Sequence, residues 1–376
     1  MHGRRSLKRG LHCDSSVQSL GGSRCVQLQA LFDSMQLFSA LSKLLGLSIL
    51  FLFHIENCVV RGEEIALWDE GVPYPLSPES LSKHKTYDDT RGRRYYTHVP
   101  TLIKTESSKK GSNNWAKLVF LVIPGGGYEY VSNGREGVTT RDYLNSFGST
   151  VYILNYRCKP YHHPVPLEDA VRAVRIVKKA HSDKKVVVMG FSAGGHLAAS
   201  LAVFCDAVDD NNWSEYLSLD TYKLQPRQPN LELDSISCRP DFNVFVYPVI
   251  SMKNSLTHAG SKLQLIGAKS DFVGAGDEVA YNDLVKLLSM DKSYESIYKK
   301  KGNKTKMGSV LLVHSNDDYA VPVENSVLMH RALKSAKVDV EMVIYNTGGH
   351  GYGIHAKKDA PPWNIVLESW VERRKA

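Results

Sequence analysis

The chain has 376 residues, room for one large domain or two small ones, and its 43% hydrophobic and 23% charged content is that of a globular protein. The net charge of +8 is mild and scattered, and no basic stripe interleaved with aromatics marks a nucleic-acid surface. The one dense cluster, residues 298–306, reads as a solvated loop, and no internal repeat or low-complexity tract stands out.

The N-terminus contains a second beginning. Residues 1–34 carry Arg4, Arg5, Lys8, Arg9 and Arg24 against only Asp14 and Asp33. From Met35 a short segment runs to Lys43, followed by the apolar stretch 44–53 and then His54, Glu56 and Asn57. Such a stretch suits the core of a signal peptide and is too short to span a bilayer. The expectation is an over-long gene start or leader over 1–34, a signal peptide over 35–62 and a single domain over 63–376. The mature protein would be secreted or periplasmic, with no stable membrane insertion; a true start at Met1 would leave it membrane-associated or cytoplasmic. Of the cysteines in 63–376, Cys158, Cys205 and Cys238 allow at most one disulfide. None has the C-x-x-C spacing of a zinc knuckle or dithiol motif.

Residues 63–100 are rich in proline and charge and read as an extended arm that adds an edge strand or two. The apolar run 118–122 predicts a strand buried on both faces, ending at Pro124-Gly125-Gly126-Gly127-Tyr128. A helix over 137–147 and a strand over 149–156 follow. Residues 166–181 place Leu167, Ala170, Val171, Val174 and Val177 at helical spacing, opened by Pro166, Glu168 and Asp169. Val186, Val187 and Val188 begin the next strand, which turns at Gly190 into a helix of small residues. A long polar connection over 206–239, a strand over 242–247 and a second insertion over 255–306, helical around 278–288, come next. The chain closes with a strand at 310–314, a helix at 323–335, a strand at 338–345 and a helix at 362–373. Strands alternating with helices predict an α/β fold with a mainly parallel sheet, whose active site lies beyond the carboxyl ends of the strands.

Chemistry concentrates at those ends. Gly190-Phe191-Ser192-Ala193-Gly194 matches G-x-S-x-G between a strand and a helix, a turn that exposes the serine as a nucleophile. A serine hydroxyl needs a base, and the base needs an orienting acid. His350, in Gly348-Gly349-His350-Gly351-Tyr352-Gly353 after the last strand, is the candidate base. His162, His163 and His196 lack such a loop, and His196 fits a packing role better. Asp318 is the candidate acid, in preference to its neighbour Asp317, which could serve the turn instead. The order Ser…Asp…His is that of the α/β-hydrolases. Gly126 and Gly127, with the N–H of Ala193, are the candidate oxyanion donors. Tyr128 and Tyr352 are expected to line the substrate site ahead of Trp213 and Tyr319, and Asp169 is read as structural. A P-loop is excluded because no Gly-Lys-Ser/Thr follows the triplet.

Taken together, residues 124–128, Asn155-Tyr156-Arg157, residues 166–170, 190–198, Arg239-Pro240-Asp241-Phe242, Tyr247-Pro248-Val249-Ile250-Ser251, residues 314–318 and 321–326 resemble bacterial α/β-hydrolase esterases of the acetylxylan-esterase and feruloyl-esterase-like kind. These are related to the hormone-sensitive-lipase-like esterases, some of which carry His where this chain has Pro124. The resemblance implies a central, mainly parallel sheet flanked by helices. It implies serine-ester hydrolysis of short acyl groups on polysaccharide or small esters, without metal or organic cofactor. Two rival readings are a prolyl-oligopeptidase-like peptidase, for which the sequence before Trp115 is too short to hold a propeller, and a non-catalytic binding protein.

Overall fold

The computed structural model describes residues 62–109, 113–209, 228–271, 277–300, 307–354 and 362–374. The leader and signal-peptide expectations, Trp213 and most of the lysine cluster lie outside the described residues.

Eleven strands are formed among the described residues: β1 Glu63–Ala66, β2 Tyr87–Asp88, β3 Arg94–Tyr95, β4 Thr101–Thr105, β5 Leu118–Ile123, β6 Tyr130–Val131, β7 Thr150–Asn155, β8 Lys185–Phe191, β9 Phe242–Val246, β10 Ser309–Ser315 and β11 Val340–Tyr345. Eight build one sheet in the order β1-β4-β7-β5-β8-β9-β10-β11. From β7 to β11 every neighbouring pair is parallel; β1 and β4 add to one edge antiparallel. The arm thus supplies β1 as expected, although β4 lies just past it and was not foreseen. Strands β2, β3 and β6 form a separate small antiparallel sheet that the sequence pattern did not reveal, because its strands are two residues each.

The continuous apolar run of β5 is explained by the two layers it separates. Val119, Leu121 and Ile123 point into one core, and Leu118, Phe120 and Val122 into the other. The first core is covered by helices α1 (Val165–Ala180), α2 (Ser192–Asp209), α3 (Met290–Lys300) and α4 (Glu324–Ser335). The second is covered by Leu144 of the helix Thr139–Ser146 and by Trp363, Leu367 and Trp370 of the closing helix Trp363–Glu372. Both layers are apolar because a parallel sheet has no solvated face.

Two differences from the sequence reading have local causes. Helix α2 runs on to Asp209, past the start of the polar connection expected over 206–239. Its partner Cys238 is joined by a disulfide to Cys205, which ties the returning chain to α2. The second insertion contains α3 as well as the helix Asp277–Leu287, because Met290, Tyr294 and Ile297 bury one face of α3 in the core.

Asp169 is part of the frame that holds β7 to α1. Its carboxylate accepts hydrogen bonds from the guanidinium of Arg157 at 2.7 and 2.9 Å, from the Arg157 backbone N–H at 3.0 Å and from Trp68 Nε1 at 2.8 Å. Both side chains of the pair are fully buried. A buried charge pair is tolerated when every oxygen and N–H finds a partner, as it does for this carboxylate.

Candidate active site

The elbow is forced by close packing of backbone. A Cβ on Gly190 would lie 2.4 Å from the carbonyl oxygen of Gly194, and one on Gly194 would lie 2.2 Å from that of Ile123. Neither distance is compatible with a side chain, so the strand β8 can turn into α2 this tightly only with glycine at both places. Ser192, between them, sits at φ +52°, a left-handed conformation that is strained for a non-glycine residue. Its side chain is thereby presented beyond the end of β8 at the first turn of α2.

Three other strand ends converge there. Ser192 Oγ donates to His350 Nε2 at 2.9 Å, and His350 Nδ1–H donates to Asp318 Oδ2 at 2.7 Å. His350 comes from the loop after β11 and Asp318 from the turn after β10; because the strands are parallel, both loops fall on the same edge of the sheet as Ser192. Asp318 is fixed by its other oxygen, which accepts the N–H groups of Ala320 and Val321 at 2.9 Å each. Burial opposes its ionisation, but hydrogen bonds from His314 and His350 outweigh that and hold the carboxyl well below the usual range. His314 itself lies 3.2 Å from the Asp318 carboxylate. Asp317 does a different job: its carboxylate accepts the N–H groups of Gly348 and Gly349 at 3.2 and 2.8 Å, pinning the loop that carries His350.

The Gly triplet after β5 forms the facing wall. Gly126 and Gly127, at φ +124° and +66°, line the cleft with Ser192 and His350. Ala193 follows the serine in the first turn of α2, where N–H groups have no intrahelical acceptor. The cleft holds about 370 Å³.

Two residues of the site carried no sequence signal. Glu136, from the π-helical segment Asn133–Val138 that leads into the helix Thr139–Ser146, lies buried at the floor of the cleft. One oxygen accepts the Gly125 N–H at 2.7 Å and the other accepts the Tyr247 hydroxyl at 2.9 Å. Tyr247 Oη in turn accepts the N–H of Gly353 at 2.9 Å, and its ring packs 4.8 Å from that of His350. One carboxylate thus links the Gly loop to the histidine loop. Burial raises its pKa, against the pull of the Gly125 and Tyr247 hydrogen bonds. His258 lines the cleft beside Gly127, and its Nδ1 accepts the Ser261 N–H at 3.1 Å, which puts the ring proton on Nε2. A glutamate in a short helical segment and a histidine capping a helix look ordinary in sequence; only the fold brings them to Ser192.

Tyr128 and Tyr352 do not line the cleft, a correction to the expectation. Tyr128 is 1% exposed and donates from its hydroxyl to His196 Nδ1 at 2.8 Å. Tyr352 is 2% exposed and packs edge-on against Tyr247. Large aromatic rings next to glycines gain more by filling the space behind the loops than by facing water. His196 is buried with Nε2–H donating to the Leu288 carbonyl at 2.8 Å, so it packs rather than reacts. Among the described residues, no group of His, Cys, Asp and Glu is placed to hold a metal ion, and no helix is long and apolar enough to cross a membrane.

A serine at a strand–helix elbow, hydrogen-bonded to a histidine that is held by an aspartate, defines a serine hydrolase on an α/β sheet. Comparison with known proteins agrees: the family model described as alpha/beta hydrolase fold matches residues 120–354, and the chain belongs to that family. Among curated relatives, the endo-1,4-beta-xylanase B of Butyrivibrio fibrisolvens is 33% identical over 241 residues, 61% of this chain and 32% of that protein. An acetylxylan esterase of Xylanibacter ruminicola is 27% identical over 237 residues, 61% of this chain and 40% of that protein. The chain therefore spans less than half the length of these two relatives. Among solved structures, an acetyl ester-xyloside bifunctional hydrolase from Caldicellulosiruptor lactoaceticus is 30% identical with a TM-score of 0.61, covering 83% of this chain and 96% of that one. A thermophilic esterase of Thermogutta terrifontis shares the fold at 20% identity and a TM-score of 0.50, over 73% of this chain and 88% of that one.

Proposed function

We propose that the chain is a serine carboxylic-ester hydrolase that removes short acyl groups, acetyl above all, from a polysaccharide or a small ester. The observation that carries this is the unbroken hydrogen-bonded line from Ser192 through His350 to Asp318. In the reaction Ser192 Oγ attacks the acyl carbonyl as His350 Nε2 takes its proton. Asp318 keeps the imidazole in the tautomer that can do so and stabilises it once charged. The N–H groups of Gly126, Gly127 and Ala193 receive the negative charge that develops on the carbonyl oxygen. His350 then protonates the departing alcohol, and water repeats the sequence to free the acid. The similarity to proteins named acetylxylan esterase and acetyl ester-xyloside hydrolase supports acetyl as the group removed.

The test is turnover of p-nitrophenyl acetate and acetylated xylan, with fluorophosphonate labelling, by wild type and Ser192→Ala. Wild type is expected to hydrolyse both and to be labelled, and the variant to do neither. Activity that persists in Ser192→Ala sinks the mechanism, and faster turnover of an aminoacyl-prolyl amide than of the esters would make the chain a peptidase. Export is part of the same proposal, supported by the apolar stretch 44–53 and by the Cys205–Cys238 disulfide, a bond that persists in oxidising compartments. N-terminal sequencing of secreted protein checks it: a mature chain beginning upstream of Met35 contradicts it.

A further inference from the structure

The small sheet β2-β3-β6 forms one wall of the cleft and has no role in the hydrolytic steps. Cross-strand register sets Tyr87 opposite Tyr95 and Tyr95 opposite Tyr130. The three rings form one stacked row: Tyr87 and Tyr95 lie face to face at 4.9 Å and 9°, and Tyr95 and Tyr130 are tilted at 5.1 Å. At its inner end Tyr130 lines the cleft with Ser192 and His350, and at its outer end Tyr87 is 50% exposed. Because the rings stack on one another and Arg93 covers Tyr130, the row turns ring edges and hydroxyls outward, where they can contact the C–H groups and hydroxyls of successive sugars.

Arginines border that row. Arg93 lies over the Tyr130 ring at 5.0 Å and is paired with Asp89 at 2.8 Å. Arg91 and Arg135 also line the cleft, both exposed, and neither has a carboxylate within ion-pair distance among the described residues. Among the described residues the Arg135 guanidinium donates to the Gly351 carbonyl, at 3.1 Å. The acids nearby are otherwise engaged. Glu129 faces Lys159 at 4.0 Å, and Glu136, whose oxygens accept from Gly125 and Tyr247, meets Arg135 through longer-range attraction with no ion pair between them. Among the described residues, two guanidinium groups at the mouth of an ester-hydrolase cleft are thus placed to meet an anion supplied by the substrate. Guanidinium binds carboxylate in a planar, two-bonded geometry.

We propose that this wall is a subsite for an acidic sugar chain, so that the substrate is an acylated polysaccharide carrying uronic-acid carboxylates. The outward edges and hydroxyls of the tyrosine row contact the sugars, and Arg91 and Arg135 read the carboxylates. This rests on the ester-hydrolase reading for the reaction, but the binding it requires can be measured without any reaction.

The experiment is calorimetric binding of tri-galacturonate, and of the same trisaccharide with its carboxylates reduced to alcohols, to the full-length protein carrying Ser192→Ala. At low salt the acidic sugar is expected to bind about 10-fold more tightly, falling toward 2-fold at high ionic strength, since exposed charge pairs are worth little each and are screened. Adding Arg91→Gln with Arg135→Gln is expected to bring the ratio near one. Arg91→Lys is expected to keep part of it, and Arg94→Gln, on the opposite face of the small sheet and paired with Asp88, to keep all of it. Tyr87→Ala is expected to weaken both sugars alike. Equal binding of the two sugars, or a preference that survives the double arginine substitution, overturns the proposal. If p-nitrophenyl acetate is not hydrolysed by wild type, the reading of the reaction fails, and the binding ratio still decides the subsite.

Discussion

Glu136→Ala tests how the two halves of the site are held together. The substitution removes the acceptor of two donors, the Gly125 N–H and the Tyr247 hydroxyl, at a residue only 4% exposed. A buried donor left without a partner costs about 1–3 kcal/mol, and cleft water can reach part of the vacated space, so the expected loss of folding stability is about 2–4 kcal/mol. That leaves a domain of ordinary stability folded. The catalytic loss comes from position. Gly125 leads into Gly126 and Gly127, and Tyr247 packs against the His350 ring, so both loops loosen at once. A fall in kcat of about 10–100-fold is expected, less than removal of an oxyanion donor outright, with KM little changed. Glu136→Gln is expected to recover most of kcat, because its amide oxygen can take the Gly125 N–H while its N–H groups face Tyr247 Oη. Urea unfolding and p-nitrophenyl acetate kinetics on the same preparations provide both readouts. A Glu136→Ala protein with wild-type kcat refutes the linkage, and so does a Glu136→Gln protein as slow as Glu136→Ala.

Three further outcomes follow from the geometry. Asp318→Asn is expected to lower kcat/KM for p-nitrophenyl acetate by about 10³–10⁴-fold, and Asp317→Asn by about 10-fold or less, since it only anchors the loop; the reverse ranking contradicts the assignment. Asp169→Asn leaves Arg157 buried without its counter-charge and is expected to lower urea-unfolding stability by about 3–5 kcal/mol, with kcat of the folded fraction close to wild type. His196 sets part of the acid limit. Burial lowers its pKa from the ordinary 6.5 to about 4. Between those values the unfolded chain takes up a proton that the folded protein does not. Its contribution is therefore intact above pH 6.5 and is lost as pH falls toward 4, by about 3 kcal/mol in all. Unfolding free energies of wild type and His196→Gln across pH 4–8 check this, and parallel curves would falsify it.

Much of the site was legible because it depends on residues with narrow physical uses. Glycine on both sides of Ser192 is demanded by backbone contact, and a histidine among glycines after the last strand is an unusual arrangement for a structural residue. Strand and helix order followed from apolar runs and 3.6-residue spacing, and those patterns persist because both layers against a parallel sheet must be apolar. Asp318 and Asp317 are a harder case. Adjacent aspartates in one turn differ only in which way the chain aims them, and that is decided by the N–H groups of Ala320 and Val321 on one side and of Gly348 and Gly349 on the other.

Local pattern therefore determined the nucleophile's turn, the parallel sheet and the edge on which the chemistry lies. Everything that depends on packing between distant segments came from the tertiary structure alone. Glu136 meets Tyr247 across 111 residues. Tyr128 and Tyr352 turn inward, and three two-residue strands line up a row of tyrosines beside the cleft. None of these leaves a periodicity or a motif in the chain, because each is fixed by which side chain best fills or satisfies a space that exists only once the sheet has formed.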